Sequence, residues 1–135
     1  EDYGQLDFWK VNMRPGKPLT FGKFNKTPFV GLPGNPVSAY VGSRIFVKPI
    51  VQKLMGIQTD EELFDTVVNE NIESDGRESY LRVLIDYRNG ESRANLAKHQ
   101  GSGNMYSLVC ANALLIVPAG VKSLPKGSNA KYIPI

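Results

Sequence analysis

The stretch that decides how this chain is interpreted is residues 11–39, VNMRPGKPLTFGKFNKTPFVGLPGNPVSA. It contains two loops rich in glycine and proline, RPGKP (residues 14–18, the first loop) and LPGNP (residues 32–36, the second loop). The second loop lies between a short apolar run and a segment in which Val37, Val41 and Ile45 recur every four residues, which is typical of a helix with one buried face. A strand, a tight turn and a helix direct several backbone N–H groups to one place. The stretch therefore predicts an anion-binding site in an α/β framework.

The first loop combines a stiff backbone with positive charge. Arg14 and Lys17 supply the charge, Gly16 lets a ligand approach the backbone closely, and Pro18 is one of two prolines that fix φ. An ordinary surface turn with solvated cations is the alternative interpretation. Residues 27–32 are expected to form a short buried strand, and residues 21–26 a hairpin or an irregular connection.

The second loop is predicted to start a helix. Gly34 and Asn35 form the turn, Asn35 is the expected N-cap, and Pro36 suits the first helical position. Ser38 then places a hydroxyl in the first turn, where it either helps to bind an oxyanion or only satisfies the backbone. Further along, Pro49 predicts an interruption near Lys48, and Gly56 predicts the end of the helix.

Beyond Gly56 the helical period gives way to alternation, which predicts a small antiparallel β domain, open or closed as a barrel. In residues 80–87, Leu81, Val83, Ile85 and Tyr87 share one face, and Asn89-Gly90 is a hairpin signal that pairs this strand with residues 92–97. Weaker strands are expected at residues 64–72, 113–117 and 130–135.

A polar segment rich in glycine, KHQGSGN (residues 98–104), follows the hairpin and leads into a short predicted helix. Arg82 is expected on the face of its strand away from the core, close enough to reach this loop, so that Arg82→Ala would cost little stability. His99 is interpreted as a surface or hydrogen-bonding residue, because no cysteine or second histidine lies near it to complete a transition-metal site.

Charge is distributed unevenly along the chain, although the net charge is only +3. Residues 8–59 contain eight basic residues and no acidic one, residues 60–91 contain ten acidic residues and three arginines, and no acidic residue follows Glu91. The basic segment favours a phosphate-bearing or oxyanionic ligand. Nucleic acid is disfavoured because the cations do not form a dense run interleaved with aromatic residues.

Several classes of protein are disfavoured by composition. The single cysteine, Cys110, excludes an internal disulfide and favours a reducing compartment. No apolar run is long enough to span a bilayer, and no signal-peptide pattern occurs, so the expected location is the cytoplasm and no membrane partner is expected. Because the chain starts EDYG, without Met, it is expected to begin inside a longer protein.

These motifs together resemble the molybdopterin molybdotransferase (MoeA) family, which includes the C-terminal part of gephyrin. The resemblance rests on matching stretches in the family's order: MRPGKP (13–18), GLPGNPVSA (31–39), GRE (76–78) with Arg82, QGSG (100–103) and ANA (111–113). It implies that residues 1–56 are the C-terminal portion of a three-layer molybdopterin-binding α/β domain and that residues 57–135 are a C-terminal β domain.

The resemblance also implies a function. Enzymes of this family insert molybdate into adenylylated molybdopterin and release AMP, usually with Mg²⁺, and they act as homodimers. The positions associated with oxyanion binding correspond here to Lys17, Pro18, Ser38, Arg82 and Ser102, and Arg14 occupies a position where many relatives carry lysine. An arginine keeps the charge but replaces a compact ammonium with a planar fork.

Two other functions remain open at this point. One is a binding or scaffold module without catalysis, of the gephyrin type. The other is a molybdopterin adenylyltransferase, which shares the α/β fold but lacks the β domain that is expected here after Gly56. The residues indicate no metal site within the basic stretch, and the expected Mg²⁺ ligands lie outside this chain.

Overall fold

The structure is a computed structural model that describes residues 4–8, 11–58 and 63–135. Its contacts divide the chain into two compact units, residues 1–59 and residues 60–135. Among the described helices, none is long and apolar enough to cross a membrane.

The first unit contains a three-stranded antiparallel sheet in the order β1 (Gly4–Phe8), β3 (Thr20–Phe24), β4 (Thr27–Gly31). The two-residue strand β2 (Met13–Arg14) lies between β1 and β3 in sequence. Strands β3 and β4 form a hairpin whose turn residues, Asn25 and Lys26, have φ values of 46° and 71°. Positive φ at both positions matches the twist of a two-residue hairpin, and this resolves the predicted "hairpin or irregular connection" as a hairpin.

The strand predicted at residues 27–32 forms at β4, but the prediction that it is buried is wrong. Thr27, Pro28 and Phe29 are exposed in the described structure, and Val30 is only half-buried. β4 stands at the edge of its sheet, so only one neighbouring strand covers it. An apolar run alone does not distinguish an edge strand from a central one.

The helical segment of the first unit begins and ends where predicted. Helix α1 (Pro36–Gly42) buries Val37 and Val41 completely, a π-helical turn (Ser43–Val47) follows, and helix α2 (Lys48–Leu54) ends before Gly56, whose φ is +73°. The Lys48 N–H donates to the Ser43 carbonyl, five residues back, which widens the helix just before Pro49. The interruption predicted near Lys48 is therefore confirmed, in a form that accommodates a residue without an N–H.

The second unit is a closed barrel of five strands. Around the barrel the order is β7 (Glu78–Arg88), β8 (Glu91–Leu96), β5 (Phe64–Val68), β11 (Asn129–Pro134) and β9 (Ala113–Val117), and β9 pairs with β7 to complete the ring. The Asn89-Gly90 turn is confirmed, with φ values of 53° and 82°, and Val83 pairs with Leu96 as expected. The domain is not wholly antiparallel, because β5 and β8 pair in parallel through Val67–Arg93 and Val68–Ala94.

Smaller elements complete this unit. Strand β6 (Ile72–Glu73) pairs with β10 (Ser123–Leu124), and the one-turn helix α3 (Tyr106–Val109) precedes β9. The barrel interior is filled by apolar side chains from all five strands and from β6: Val68, Ile72, Val83, Ile85, Ala94, Ala113, Leu115, Val117 and Tyr132. Alternation along β7 places Val83 and Ile85 inside, as predicted, and directs Arg82 to the other face.

Candidate functional site

The two loops of the first unit leave the same end of the β3–β4 hairpin. Thr20 and Gly31 form the terminal pair of the hairpin, and Leu19 alone separates Thr20 from the first loop. The second loop starts directly after Gly31. A Cβ atom at Gly31 would overlap the Thr20 side chain, so the two chains run in close contact at this point. The hairpin register therefore anchors both predicted loops side by side.

Helix α1 supplies a second common contact for the loops. A Cβ atom at Gly42 would lie 3.1 Å from Leu32 Cδ2 and 3.5 Å from Leu19 Cδ1, so both leucine side chains pack against this glycine. Leu19 directly follows the first loop and Leu32 opens the second, and Leu19 is fully buried. These contacts bring the two loops close together in space although they are separated in sequence.

The first loop buries its backbone anchor and exposes its charges. Pro15 and Gly16 are buried, whereas Arg14, Lys17 and Pro18 are exposed. The peptide bonds before both prolines are cis. The φ of Gly16 is +146°, and a Cβ atom there would lie 3.1 to 3.2 Å from the Met13 side chain. Gly16 is thus required by the backbone conformation, and both cationic side chains are available at the surface.

The second loop differs in part from its prediction. Asn35 occupies the N-cap position with extended backbone angles, φ −75° and ψ 124°, and its carbonyl accepts a 2.8 Å hydrogen bond from the Ala39 N–H. Its side chain makes no capping hydrogen bond, so the predicted side-chain cap is wrong, although Pro36 does begin the helix. Gly34 has no described atom near the position of a would-be Cβ and its φ is not positive. Ser38 lies in the first turn and is 5% exposed.

Positive charge dominates the surroundings of these loops. The sequence between Phe8 and Thr59 contains eight basic residues and no carboxylate. Exposed cations in the first loop, together with the turn backbone and a serine hydroxyl, favour a small polyanion, because charge-assisted hydrogen bonds are about twice as strong as neutral ones. The chemistry of these two loops agrees with oxyanion binding.

In the second unit Arg82 is buried, in contrast to the sequence expectation. Its side chain lies on the non-core face of β7, as predicted, but only 1% of the residue is exposed. The guanidinium donates from Nε to Ser107 Oγ at 3.2 Å and from Nη2 to the carbonyls of His99 and Gly101 at 3.5 and 3.2 Å. The surface position on which the expectation of a small stability loss for Arg82→Ala depended is therefore wrong, and we now expect a larger loss, because the change removes several hydrogen bonds from a buried group.

Gln100 was quoted in the sequence motif, but its role was missed. Its side-chain amide accepts a 3.0 Å hydrogen bond from the Arg82 N–H and donates to the Arg82 carbonyl at 2.7 Å and the Ala97 carbonyl at 2.8 Å. Ser107 was also missed: it is fully buried, and its hydroxyl donates to the Asn104 carbonyl at 2.7 Å. A glutamine one residue before a Gly-Ser-Gly turn was the only signal in the sequence, and nothing distinguished Ser107.

Ser102 is exposed in a turn between Gly101 and Gly103. His99 has a φ of +64°, a backbone conformation that residues other than glycine seldom adopt. Its carbonyl accepts a hydrogen bond from the Arg82 guanidinium. The structure therefore brings Arg82 to the loop that carries Ser102, as predicted, although Arg82 reaches the backbone of that loop.

Two tyrosine side chains of the second unit have raised pKa values. The hydrogen bond with Cys110 raises the pKa of Tyr106, and burial, together with the hydrogen bond to Tyr87, raises the pKa of Tyr132. In both cases the neutral phenol is favoured. Within the described residues no three His, Cys, Asp or Glu side chains lie together as a group that could hold a metal ion.

Comparison with known families accounts for nearly the whole chain. Residues 66–135 match the family described as "MoeA C-terminal region (domain IV)", and residues 2–53 match the "Probable molybdopterin binding domain". The first match covers the β-barrel unit and the second covers the two loops with their hairpin and helices.

The individual relatives that the chain resembles are also molybdenum cofactor proteins and gephyrin. The chain is 52% identical over 139 residues to the molybdopterin molybdenumtransferase of Haemophilus influenzae, covering 99% of this chain and 34% of that protein. It is 35% identical over 162 residues to gephyrin of Dictyostelium discoideum, covering 100% of this chain and 22% of that protein. A solved molybdenum cofactor biosynthesis protein from Pyrococcus furiosus superposes with a TM-score of 0.78 at 30% identity, covering 98% of this chain and 46% of that one. The chain spans about a third or less of the curated relatives it matches.

Proposed function

Because the chain belongs to the MoeA family, we propose that it forms the oxyanion-handling part of a molybdopterin molybdenumtransferase. The reaction inserts molybdate into adenylylated molybdopterin: two Mo–S bonds to the dithiolene replace Mo–O bonds of molybdate, whose oxygens leave as water, and attack by water cleaves the bond between AMP and the pterin phosphate. Both substrates are anions. The single observation that carries the proposal is the convergence of the first and second loops at one end of the β3–β4 hairpin, with no carboxylate in the sequence of that unit beyond Asp7.

Each residue of this unit has a definite part in the proposal. Arg14 and Lys17 attract and hold molybdate oxygens, and Pro18 keeps the loop stiff beside them. Gly34 and Asn35 present the turn backbone, and the Ser38 hydroxyl donates to an oxygen of the anion. The family resemblance is the basis for proposing Ser102, in an exposed turn of the second unit, as a further oxyanion-binding residue. The buried Arg82 contributes through the loop whose carbonyls it binds.

The finer parts of the proposal rest on the family resemblance. We propose a homodimeric, cytoplasmic protein that uses Mg²⁺ held by carboxylates outside the described residues. The isolated 135-residue chain is expected to bind the oxyanion weakly and to release no AMP. AMP release by this chain alone would contradict that division of labour.

Calorimetric titration of molybdate into the chain tests the proposal, with sulfate and phosphate as competitors. We expect saturable binding that Ser38→Ala weakens by roughly fivefold to tenfold, the equivalent of one hydrogen bond of about 1 kcal/mol. Ser43→Ala is the matched control, because this serine lies in the same helical segment and its hydroxyl donates to the Tyr40 carbonyl at 2.7 Å. Equal losses in the two variants, or no saturable heat with the unsubstituted chain, would overturn the assignment.

A scaffold role of the gephyrin type is the second candidate. The observation that favours it is the similarity to Dictyostelium gephyrin together with the exposed apolar side chains around α3, namely Met105, Tyr106 and Val109. Capture of a partner peptide that is lost on Val109→Asp, with molybdate binding unchanged, would support this role.

A further inference from the structure

We infer that Gln100 is a positioning residue for the proposed oxyanion contact of Ser102: its side-chain amide replaces a strand residue beside β7 and thereby holds the loop that carries Ser102. The inference deepens the proposed function and rests on it, since the role of Ser102 belongs to that proposal. It concerns a residue that touches no anion itself. Its basis is the way in which strand β7 is hydrogen-bonded on its two sides.

Strand β7 is eleven residues long, whereas β8 has six residues and β9 has five. On one side β8 pairs with it from Arg88 to Val83, and on the other side β9 pairs with it from Ser79 to Val83. The hydrogen-bonding groups of β7 beyond each partner's end must be satisfied in another way, because burying them without a partner costs free energy. Two side-chain amides meet this need at Arg82 and Ile85, close to the ends of β8 and β9.

Asn112 completes the side on which β9 ends. Its Oδ1 accepts a 2.7 Å hydrogen bond from the Ile85 N–H, and its Nδ2 donates to the Ile85 carbonyl at 3.1 Å. The amide thus reproduces the two bonds that a strand residue opposite Ile85 would make.

Gln100 completes the side on which β8 ends. After Leu96, the Ala97 N–H donates a 2.9 Å hydrogen bond to the Arg82 carbonyl. The Gln100 side-chain amide accepts a hydrogen bond from the Arg82 N–H and donates another to the Arg82 carbonyl. Unlike Asn112, Gln100 lies inside a loop that is also bound from the opposite direction, since the Arg82 guanidinium binds the carbonyls of His99 and Gly101.

Gln100 and Arg82 therefore hold each other. The side chain of Gln100 binds the backbone of Arg82, and the side chain of Arg82 binds the backbone on both sides of Gln100. This reciprocal arrangement fixes residues 99–101 against β7 and leaves Ser102 exposed at the next position. A hydroxyl held in one place loses less conformational entropy on binding an anion, so the clamp increases affinity without a contact.

The test compares two substitutions that remove an amide while keeping side-chain size, Gln100→Met and its matched control Asn112→Leu. Three quantities are measured on the 135-residue chain: the melting temperature, amide hydrogen exchange of residues 98–104, and molybdate affinity by calorimetry. We expect both variants to melt at lower temperature than the unsubstituted chain. Only Gln100→Met should accelerate exchange in residues 98–104 and weaken molybdate binding, by roughly twofold to fivefold, because the loss cannot exceed that of the one Ser102 hydrogen bond of about 1 kcal/mol.

The outcomes separate this inference from the proposed function. If the unsubstituted chain binds molybdate and Gln100→Met binds it equally well, the positioning role is overturned while the proposed function stands. Equal losses of affinity in both variants would also overturn it, because they would reflect general destabilisation. If the unsubstituted chain binds no molybdate, the proposed function fails, and the role of Gln100 in anion binding fails with it.

Discussion

The two units use positive charge in opposite ways. In the first unit Arg14 and Lys17 are exposed on a loop whose backbone is buried at Pro15 and Gly16. In the second unit the guanidinium of Arg82 is buried, and its hydrogen bonds hold a loop together. An exposed cation can bind a ligand without contributing to the stability of the fold. A buried cation makes its hydrogen bonds to the protein itself, so its removal destabilises the fold. Equivalent-looking arginines in a motif can therefore serve binding or architecture.

The largest effect that tests this difference is expected for Arg82→Ala. Loss of hydrogen bonds from a buried charged group should lower the unfolding free energy of the second unit by about 2–4 kcal/mol. Urea denaturation measures this value. The control is Arg88→Ala on the same strand, where the arginine is exposed and pairs with Asp86 at 2.7 Å, for which we expect a change of about 0.5 kcal/mol or less. If the two variants unfold alike, the architectural role of Arg82 is refuted.

An intermediate effect is expected for Gly16→Ala. The φ of +146° and the contact with Met13 both oppose a side chain, so the unfolding free energy of the first unit should fall by about 1–3 kcal/mol. Gly34→Ala, in the second loop, is the control: no described atom lies within 4 Å of its would-be Cβ, and the change should stay within about 0.5 kcal/mol. Thermal melts of both variants decide whether the first loop needs its glycine and the second does not.

The smallest effect on stability is expected for Lys17→Ala. This exposed cation should change the unfolding free energy by no more than about 0.5 kcal/mol and yet weaken molybdate binding severalfold, because its charge faces solvent. Lys23→Ala removes the same charge from strand β3, outside both loops, and should leave the affinity nearly unchanged. A large loss of stability on removal of Lys17 would erase the contrast with Arg82.

Much of the framework was predictable because its signals are local. The Asn89-Gly90 turn, the helix that begins at Pro36 and the interruption before Pro49 each depend on the conformational limits of one or two residues. Closure of the barrel was left open because pairing between β7 and β9, or between β5 and β8, depends on contacts far apart in sequence. The exposure of β4 was missed for the same reason.

The sequence indicated which residues lie near each other in the second unit, but not how they are buried and hydrogen-bonded. The motifs placed Arg82 and Ser102 near each other, and the structure joins them through residues 99–101. Burial of Arg82 could not be read from the alternation of β7, because the covering segment is an irregular loop without a periodic pattern. An amide side chain that replaces a strand, as Gln100 does, has no sequence signature distinct from any polar loop residue.

Strand β11 has a consequence for the order in which the second unit can fold. It pairs with β5 on one side and with β9 on the other, and it follows every other strand of the unit in sequence. During synthesis on the ribosome, β5 and β9 cannot be bridged until β11 has been made. Until then the backbone edges that β11 will cover can pair with other chains. Pairing between strands so distant in sequence is also slow. Closure of the ring removes these exposed edges from the finished barrel, but the same edges can lead to aggregation while the chain is being made.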